Sequence, residues 1–209
     1  MNNEGDLVSM FLITDVICAE CRKAMKYHKH KFKLDDLSVE SFCVYEDIVK
    51  DMLIQYKELW DEALYPVFFY NVKRHIEKKY RNYSLVMIPS SSKKVEQRGF
   101  DHLSRMLEVV NLSRYEVFRK NYHEQKHLSY EDRMKNRDIM LTQVLEIPKT
   151  PILLVDDMCT TGSSLLAAYQ LLRSHKYPIK ALTFCYHKEF KNVGIYEKLK
   201  NIIHRRGGK

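Results

Sequence analysis

Ile152-Leu153-Leu154-Val155 runs into Asp156-Asp157, then Met158-Cys159, then Thr160-Thr161-Gly162-Ser163-Ser164, and this stretch restricts the fold more than any other. Four consecutive apolar residues predict a fully buried strand. The paired carboxylates are expected at its end. Leu165, Leu166, Tyr169 and Leu172 then recur at helical spacing. A strand that stops on acids and restarts as a helix capped by Ser or Thr gathers backbone N–H groups at one point. The partial positive charge there suits a phosphate. Thr160, Thr161, Ser163 and Ser164 add hydroxyl donors, and Gly162 allows close backbone approach. Asp156 and Asp157 repel a phosphate but suit ribose hydroxyls or a cationic centre. One loop thus offers a phosphate cradle beside a diol or cation clamp.

The 209 residues are enough for one α/β domain with an appendage, and an apolar content of 45% excludes a disordered chain. No apolar run reaches the ~20 residues that cross a bilayer. Met10-Phe11-Leu12-Ile13 is too short for a secretory core, so a cytoplasmic location is expected. Five cysteines, an odd number, suggest reduced thiols or metal ligands rather than a disulfide framework. A formal charge of +8 favours anionic partners, either phosphorylated sugars or nucleic acid. The cations between Lys73 and Arg81 fit the wet side of a helix whose other side carries Phe69, Val72, Ile76 and Tyr80.

Residues 1–42 read as a small irregular appendage, and residues 43–209 as the main domain. A helix is expected from Glu46, with Ile48, Val49, Met52, Leu53, Tyr56 and Leu59 on one face, and a second after Pro66. Leu85 to Ile88 reads as a buried strand, and Asp101 as the cap of a helix carrying Leu103, Met106, Leu107 and Val110. Tyr115 to Phe118 suggests a short strand, Tyr130 to Asp138 a short helix, and Ile179 to Tyr186 another strand. Strands alternating with helices predict a mainly parallel α/β sheet flanked by helices. Ligands of such sheets bind beyond the C-terminal strand ends, where Asp156 and Asp157 fall.

Two more segments carry phosphate chemistry. After Pro89, the hydroxyls of Ser91 and Ser92, the ammonium of Lys93 and the planar fork of Arg98 are suitable partners for a pyrophosphate. Gln125 and Arg133 lie in a cation-rich stretch that reads either as a loop over a phosphate site or as a solvated loop. Cys159 and Cys185 read as packed thiols rather than nucleophiles.

Taken in order, Ile88-Pro89, Arg98-Gly99-Phe100-Asp101, Gln125 with Arg133 and Asn136, and Val155-Asp156-Asp157 with Thr160-Thr161-Gly162 closely resemble the ComF/ComFC-type competence proteins. These belong to the type I phosphoribosyltransferases, and the resemblance covers about residues 42 to 187. Tyr45 and Tyr56-Lys57 also look like the segment such proteins carry before their first strand. Asp101 stands where the family usually has Asn, and the loop after Pro89 is richer in serine.

The resemblance implies a type I phosphoribosyltransferase-like fold and binding of PRPP or a related phosphoribosyl compound with Mg²⁺. Asp156 and Asp157 would be the catalytic acids. Thr160, Thr161, Gly162, Ser163, Ser164, Ser91, Ser92, Lys93, Arg98, Gln125 and Arg133 would be the ligand-binding residues. It also implies a part in competence-related DNA uptake or processing, with competence-machinery proteins as partners. The chemistry would be pentosyl transfer to an acceptor that no motif reveals. A reading from another class stays open: a non-catalytic accessory factor binding single-stranded DNA through the basic, aromatic-interleaved segment Arg114 to Arg137.

Relatives of this type often open with CxxC pairs that form zinc ribbons. Cys18 and Cys21 supply one such pair, and a closed zinc site needs two more ligands. Cys43, His28 and His30 are the candidates, at spacings that match no zinc pattern. The expectation is a remnant, incomplete zinc site, with a start codon placed downstream of a partner pair as one explanation.

Overall fold

The computed structural model describes residues 16–120, 141–143 and 147–188. Along the chain lie α1 (Ala19–Ala24), β1 (His30–Leu34), β2 (Leu37–Val44), α2 (Asp47–Glu58), α3 (Tyr65–Phe69), α4 (Lys73–Lys79), β3 (Ser84–Met87), α5 (Ser92–Arg98) and α6 (His102–Met106). Then follow β4 (Arg114–Tyr115), β5 (Phe118–Lys120), β6 (Leu141–Gln143), β7 (Ile152–Cys159), α7 (Ser163–Leu171) and β8 (Ile179–Tyr186). Six strands form one sheet in the order β1-β2-β8-β7-β3-β4, parallel throughout except where β1 runs antiparallel to β2. β5 and β6 make a separate antiparallel pair.

This is the mainly parallel α/β sheet flanked by helices that the sequence predicts. The central strands β3 and β7 carry the apolar runs Leu85 to Met87 and Ile152 to Val155 because both faces of the sheet are covered there. Successive side chains of β7 alternate between the two layers. Leu153 and Val155 join one core with Val49, Met52, Leu53 and Tyr56 of α2, Phe68 and Phe69 of α3, and Ile76 of α4. Ile152 and Leu154 join the other, under Leu165, Leu166 and Ala168 of α7.

Phe184 of β8 is fully buried and centres the first core, 5.1 Å from Phe68 and 5.8 Å from Phe69 between ring centroids. Buried Glu40 on β2 accepts hydrogen bonds from Lys79 at 2.6 Å and Tyr80 at 2.7 Å, with His75 at 3.2 Å. That cluster ties the end of the α4 segment to the sheet.

The topology decides where a ligand fits. From β3 the chain moves outward to β4 on one side, whereas β7 leads to β8 on the other. The order therefore reverses between β3 and β7. The space outside their carboxyl ends is the general binding crevice of open α/β sheets. The loops that flank it are Pro89–Ser91 and Thr160–Gly162, two of the three segments singled out from the sequence.

Several expectations need correction. Residues 30–42 are not irregular: β1 and β2 form a hairpin joined to β8, so a boundary at residue 42 cuts through β2. The alternation His30-Lys31-Phe32-Lys33-Leu34 is a strand pattern, with Lys31 and Lys33 exposed and Leu34 buried. Chain pairing, not composition, sets the true edge.

The strand ending on acids instead continues through Cys159, because Asp156, Met158 and Cys159 stay in register with Thr183, Cys185 and Tyr186 of β8. The strand expected at Tyr115 to Phe118 is two pieces, β4 and the start of β5. The helix expected after Pro66 is broken by a 3-10 turn at Tyr70–Val72, yet its buried stripe of Phe69, Val72, Ile76 and Tyr80 holds. The helix expected at Tyr130 to Asp138 lies outside the described residues.

Phe184→Ala should lower stability by about 3–5 kcal/mol, the range for removing a buried aromatic that its surroundings cannot refill. Urea unfolding followed by circular dichroism measures it.

Candidate functional site

Asp156 and Asp157 leave opposite faces of β7 and meet different surroundings. Asp156 is half-buried and lines a small open pocket together with Met158, Cys159 and the residues from Thr160 to Leu165. Its Oδ1 accepts the backbone N–H of Asp157 at 2.9 Å. Burial, and then the neighbouring Asp157 charge, push the Asp156 carboxyl well above its ordinary range. A cation or a set of hydroxyl donors in the pocket would favour its ionised form.

The cradle closes around Gly162, which adopts the left-handed conformation at φ 75° and stands at the N-terminus of α7. The cap is thus glycine rather than the Ser or Thr expected. Thr161 Oγ1 instead accepts the Ser163 N–H at 3.4 Å and exchanges a hydrogen bond with Ser163 Oγ at 2.9 Å. A Cβ at residue 162 would lie 2.7 Å from both terminal methyls of Leu34, so the leucine side chain would have to shift to admit it. The β1–β2 hairpin therefore packs under the cradle.

Asp157 is 5% exposed and points into the first core layer. Its Oδ2 receives the Lys57 ammonium from α2 and lies 3.3 Å from His102 Nε2 of α6, a contact not aligned as a hydrogen bond. Burial alone would raise this carboxyl, but Lys57, followed by His102, outweighs burial and holds Asp157 well below the usual range. Lys57 is the reciprocal case. Burial would lower its ammonium, and Asp157 carries it above its ordinary value.

The same partners reach the loop after β3. His102 Nδ1 sits 2.9 Å from Ser90 Oγ, and the His102 carbonyl accepts the Tyr56 hydroxyl at 2.8 Å. Arg98, 8% exposed at the end of α5, donates Nε–H to the Lys57 carbonyl at 2.9 Å, while its buried Nη1 has no hydrogen-bond partner. Gly99 ends α5 in the left-handed conformation at φ 83°, turning the chain toward Asp101, whose side chain caps α6 through Ser104 N–H. Ser91 is buried as the residue before α5, and Ser92 and Lys93 are exposed on its first turn.

Asp156 and Thr160 to Ser164 therefore share one pocket, and Ser91, Ser92, Lys93 and Arg98 share the β3–α5 unit across the crevice. Gln125 and Arg133 lie outside the described residues. Cys18 and Cys21 stand at the start of α1, with Cys18 Sγ accepting the Cys21 N–H at 3.4 Å. Cys43 is buried in the core beside Cys185, and burial pushes its thiol up to about 12. No group of three metal-ligating side chains occurs among the described residues. Cys159 is 1% exposed, packed as expected, with its thiol also pushed by burial to about 12.

Sequence reasoning missed Lys57 and His102 as members of the site. The signal for Lys57 was its spacing: it falls four residues after buried Leu53 and continues the apolar stripe of α2 with a cation. A lysine there needs a buried carboxylate.

No family model matches the chain. Among curated proteins, competence protein ComFC of Streptococcus pneumoniae (strain ATCC BAA-255 / R6) is 29% identical over 140 residues, 65% of this chain and 62% of that protein. ComFC of Bacillus subtilis (strain 168) is also 29% identical over 140 residues, 65% of this chain and 58% of its own. Over these 140 residues the chain is similar to ComFC. It spans about three fifths of the length of these relatives.

Among solved structures, an adenine phosphoribosyltransferase aligns over 83% of the chain and 94% of its own at 15% identity and TM-score 0.42. A hypoxanthine phosphoribosyltransferase from Staphylococcus aureus covers 58% of the chain and 62% of its own at 16% identity and TM-score 0.34. Among the described residues no helix is long and apolar enough to cross a membrane.

Asp157→Asn should cost about 3–5 kcal/mol at neutral pH, because it leaves the Lys57 ammonium buried without its counter-charge. The pH dependence has a definite sign. Asp157 has a folded pKa far below its unfolded value of about 3.9, so the pair's contribution is full above that value and is lost as pH falls through the folded pKa. Thermal melts between neutral and strongly acid pH should show a shallower acid limb for Asp157→Asn than for wild type. Gly162→Ala should cost about 1–2 kcal/mol from the left-handed backbone alone, and more from the Leu34 contact.

Proposed function

We propose that the chain binds a 5′-phosphoribosyl compound, PRPP or a relative of it, together with Mg²⁺, and acts in competence-related uptake or processing of DNA. One observation carries the reading: the Asp156 carboxyl and the Thr160–Ser164 cradle line a single pocket beside the sheet's reversal point. The likeness to ComFC supports the biological setting.

In this reading the N–H groups at the start of α7 and the hydroxyls of Thr160, Thr161, Ser163 and Ser164 hold the 5′-phosphate, and Asp156 faces the ribose hydroxyls. Across the crevice Ser91, Ser92 and Lys93 meet the pyrophosphate. The unpartnered Nη1 of Arg98 offers a further donor for it. Departure of pyrophosphate leaves positive charge on the ribose ring, and a fixed carboxylate stabilises that charge more in the transition state than in the ground state.

The donor set fits Mg²⁺. A carboxylate and hydroxyl oxygens, completed by phosphate oxygens, are hard ligands of the kind this cation takes. Bound there, Mg²⁺ would neutralise charge on the leaving group.

Calorimetry with PRPP and Mg²⁺ tests the reading. Wild type should bind only with the cation present, and Asp156→Asn should bind at least about tenfold more weakly while melting at the wild-type temperature. Unchanged affinity in a folded Asp156→Asn protein would remove this pocket as the site.

A further inference from the structure

We propose that Lys57 and His102 are positioning residues that make Asp157 a brace between the two ligand loops, leaving Asp156 as the acid of the pair that meets the ligand. The inference rests on the phosphoribosyl reading above and deepens it.

Two adjacent acids look equivalent in sequence, but β7 separates them. Asp156 lines the cradle pocket and Asp157 does not. The Asp157 Oδ2 atom instead takes the Lys57 ammonium and packs 3.3 Å from His102 Nε2. Swinging that carboxylate toward a ligand would strand a largely buried ammonium, a costly exchange.

Each partner of Asp157 also holds the β3–α5 unit. His102 reaches Ser90 through Nδ1 at 2.9 Å, and Lys57 accepts Arg98 Nε–H through its carbonyl at 2.9 Å. The links Ser90–His102–Asp157 and Arg98–Lys57–Asp157 converge on one oxygen at the end of β7. They fix the pyrophosphate-side loop relative to the phosphate cradle. A ligand that spans both needs this spacing set before it binds.

The test separates positioning from folding by using two partial ligands. Ribose 5-phosphate probes the cradle, and Mg²⁺-pyrophosphate probes the loop after β3. His102→Phe, which cuts the Ser90 link, should weaken pyrophosphate by about fivefold or more and ribose 5-phosphate by less than about twofold. Equal losses for both probes, or an unchanged pyrophosphate affinity, overturn the inference.

A second variant guards against simple unfolding. Lys57→Met combined with Asp157→Asn removes both charges together. It should regain at least about half the melting-temperature loss of Asp157→Asn alone, and with the brace gone it should weaken pyrophosphate by about fivefold or more while ribose 5-phosphate changes by less than about twofold. A double variant that melts like wild type yet binds ribose 5-phosphate about tenfold more weakly would show that the Asp157 carboxylate meets the ribose, and would overturn the inference.

Wild-type protein that binds none of these ligands removes the phosphoribosyl reading itself. The brace is then judged by the melting temperature alone, and a double variant with no recovery overturns it.

Discussion

The ion pair of Lys57 and Asp157 is the contact on which the carboxyl end of the sheet depends. A helix from before β3 and a strand from the far side of the crevice meet at one carboxylate oxygen, with a separation of 100 residues along the chain. Charges this deep stabilise only while both remain. The pair therefore acts less as a source of net stability than as a specification of geometry. If α2 were displaced, Lys57 would leave Asp157 and, through its carbonyl, would let go of Arg98 as well.

The division of labour between the two acids follows from the plainest property of a strand. Consecutive side chains point to opposite faces, so a DD dipeptide cannot present both carboxylates to one pocket unless the backbone bends between them. Here β7 stays paired to β8 through Cys159, and the acids remain divided. One faces hydroxyl-rich loop and the other a cationic core. Their pKa directions diverge accordingly, Asp156 upward and Asp157 downward.

Much of this was legible before any coordinates. The buried strand at Ile152–Val155, the span Ile179–Tyr186, the Asp101 cap and the α2 stripe as far as Tyr56 are all local signals, written in spacing and side-chain type, and each stands where the sequence predicts it, whereas Leu59 lies beyond the end of α2 and is exposed. What escaped was non-local. Nothing near His102 announces that Ser90 and Asp157 will flank it, and nothing near Gly162 announces Leu34, 128 positions earlier. The hairpin was misjudged because its lysines and aspartates dominate composition, although its alternation already describes a strand with one wet face.

That same wet face has a consequence for how the molecule behaves among its neighbours. Among the described residues β1 is an outermost strand of the sheet, the kind of position from which sheets extend between molecules. Exposed Lys31 and Lys33 place like charges along this border, so two copies approaching edge to edge meet repulsion before their backbones can pair. At the opposite border β4 is only two residues long, too short to template an intruder. Among the described residues, then, the sheet carries like charges along one border and a strand too short to extend it along the other.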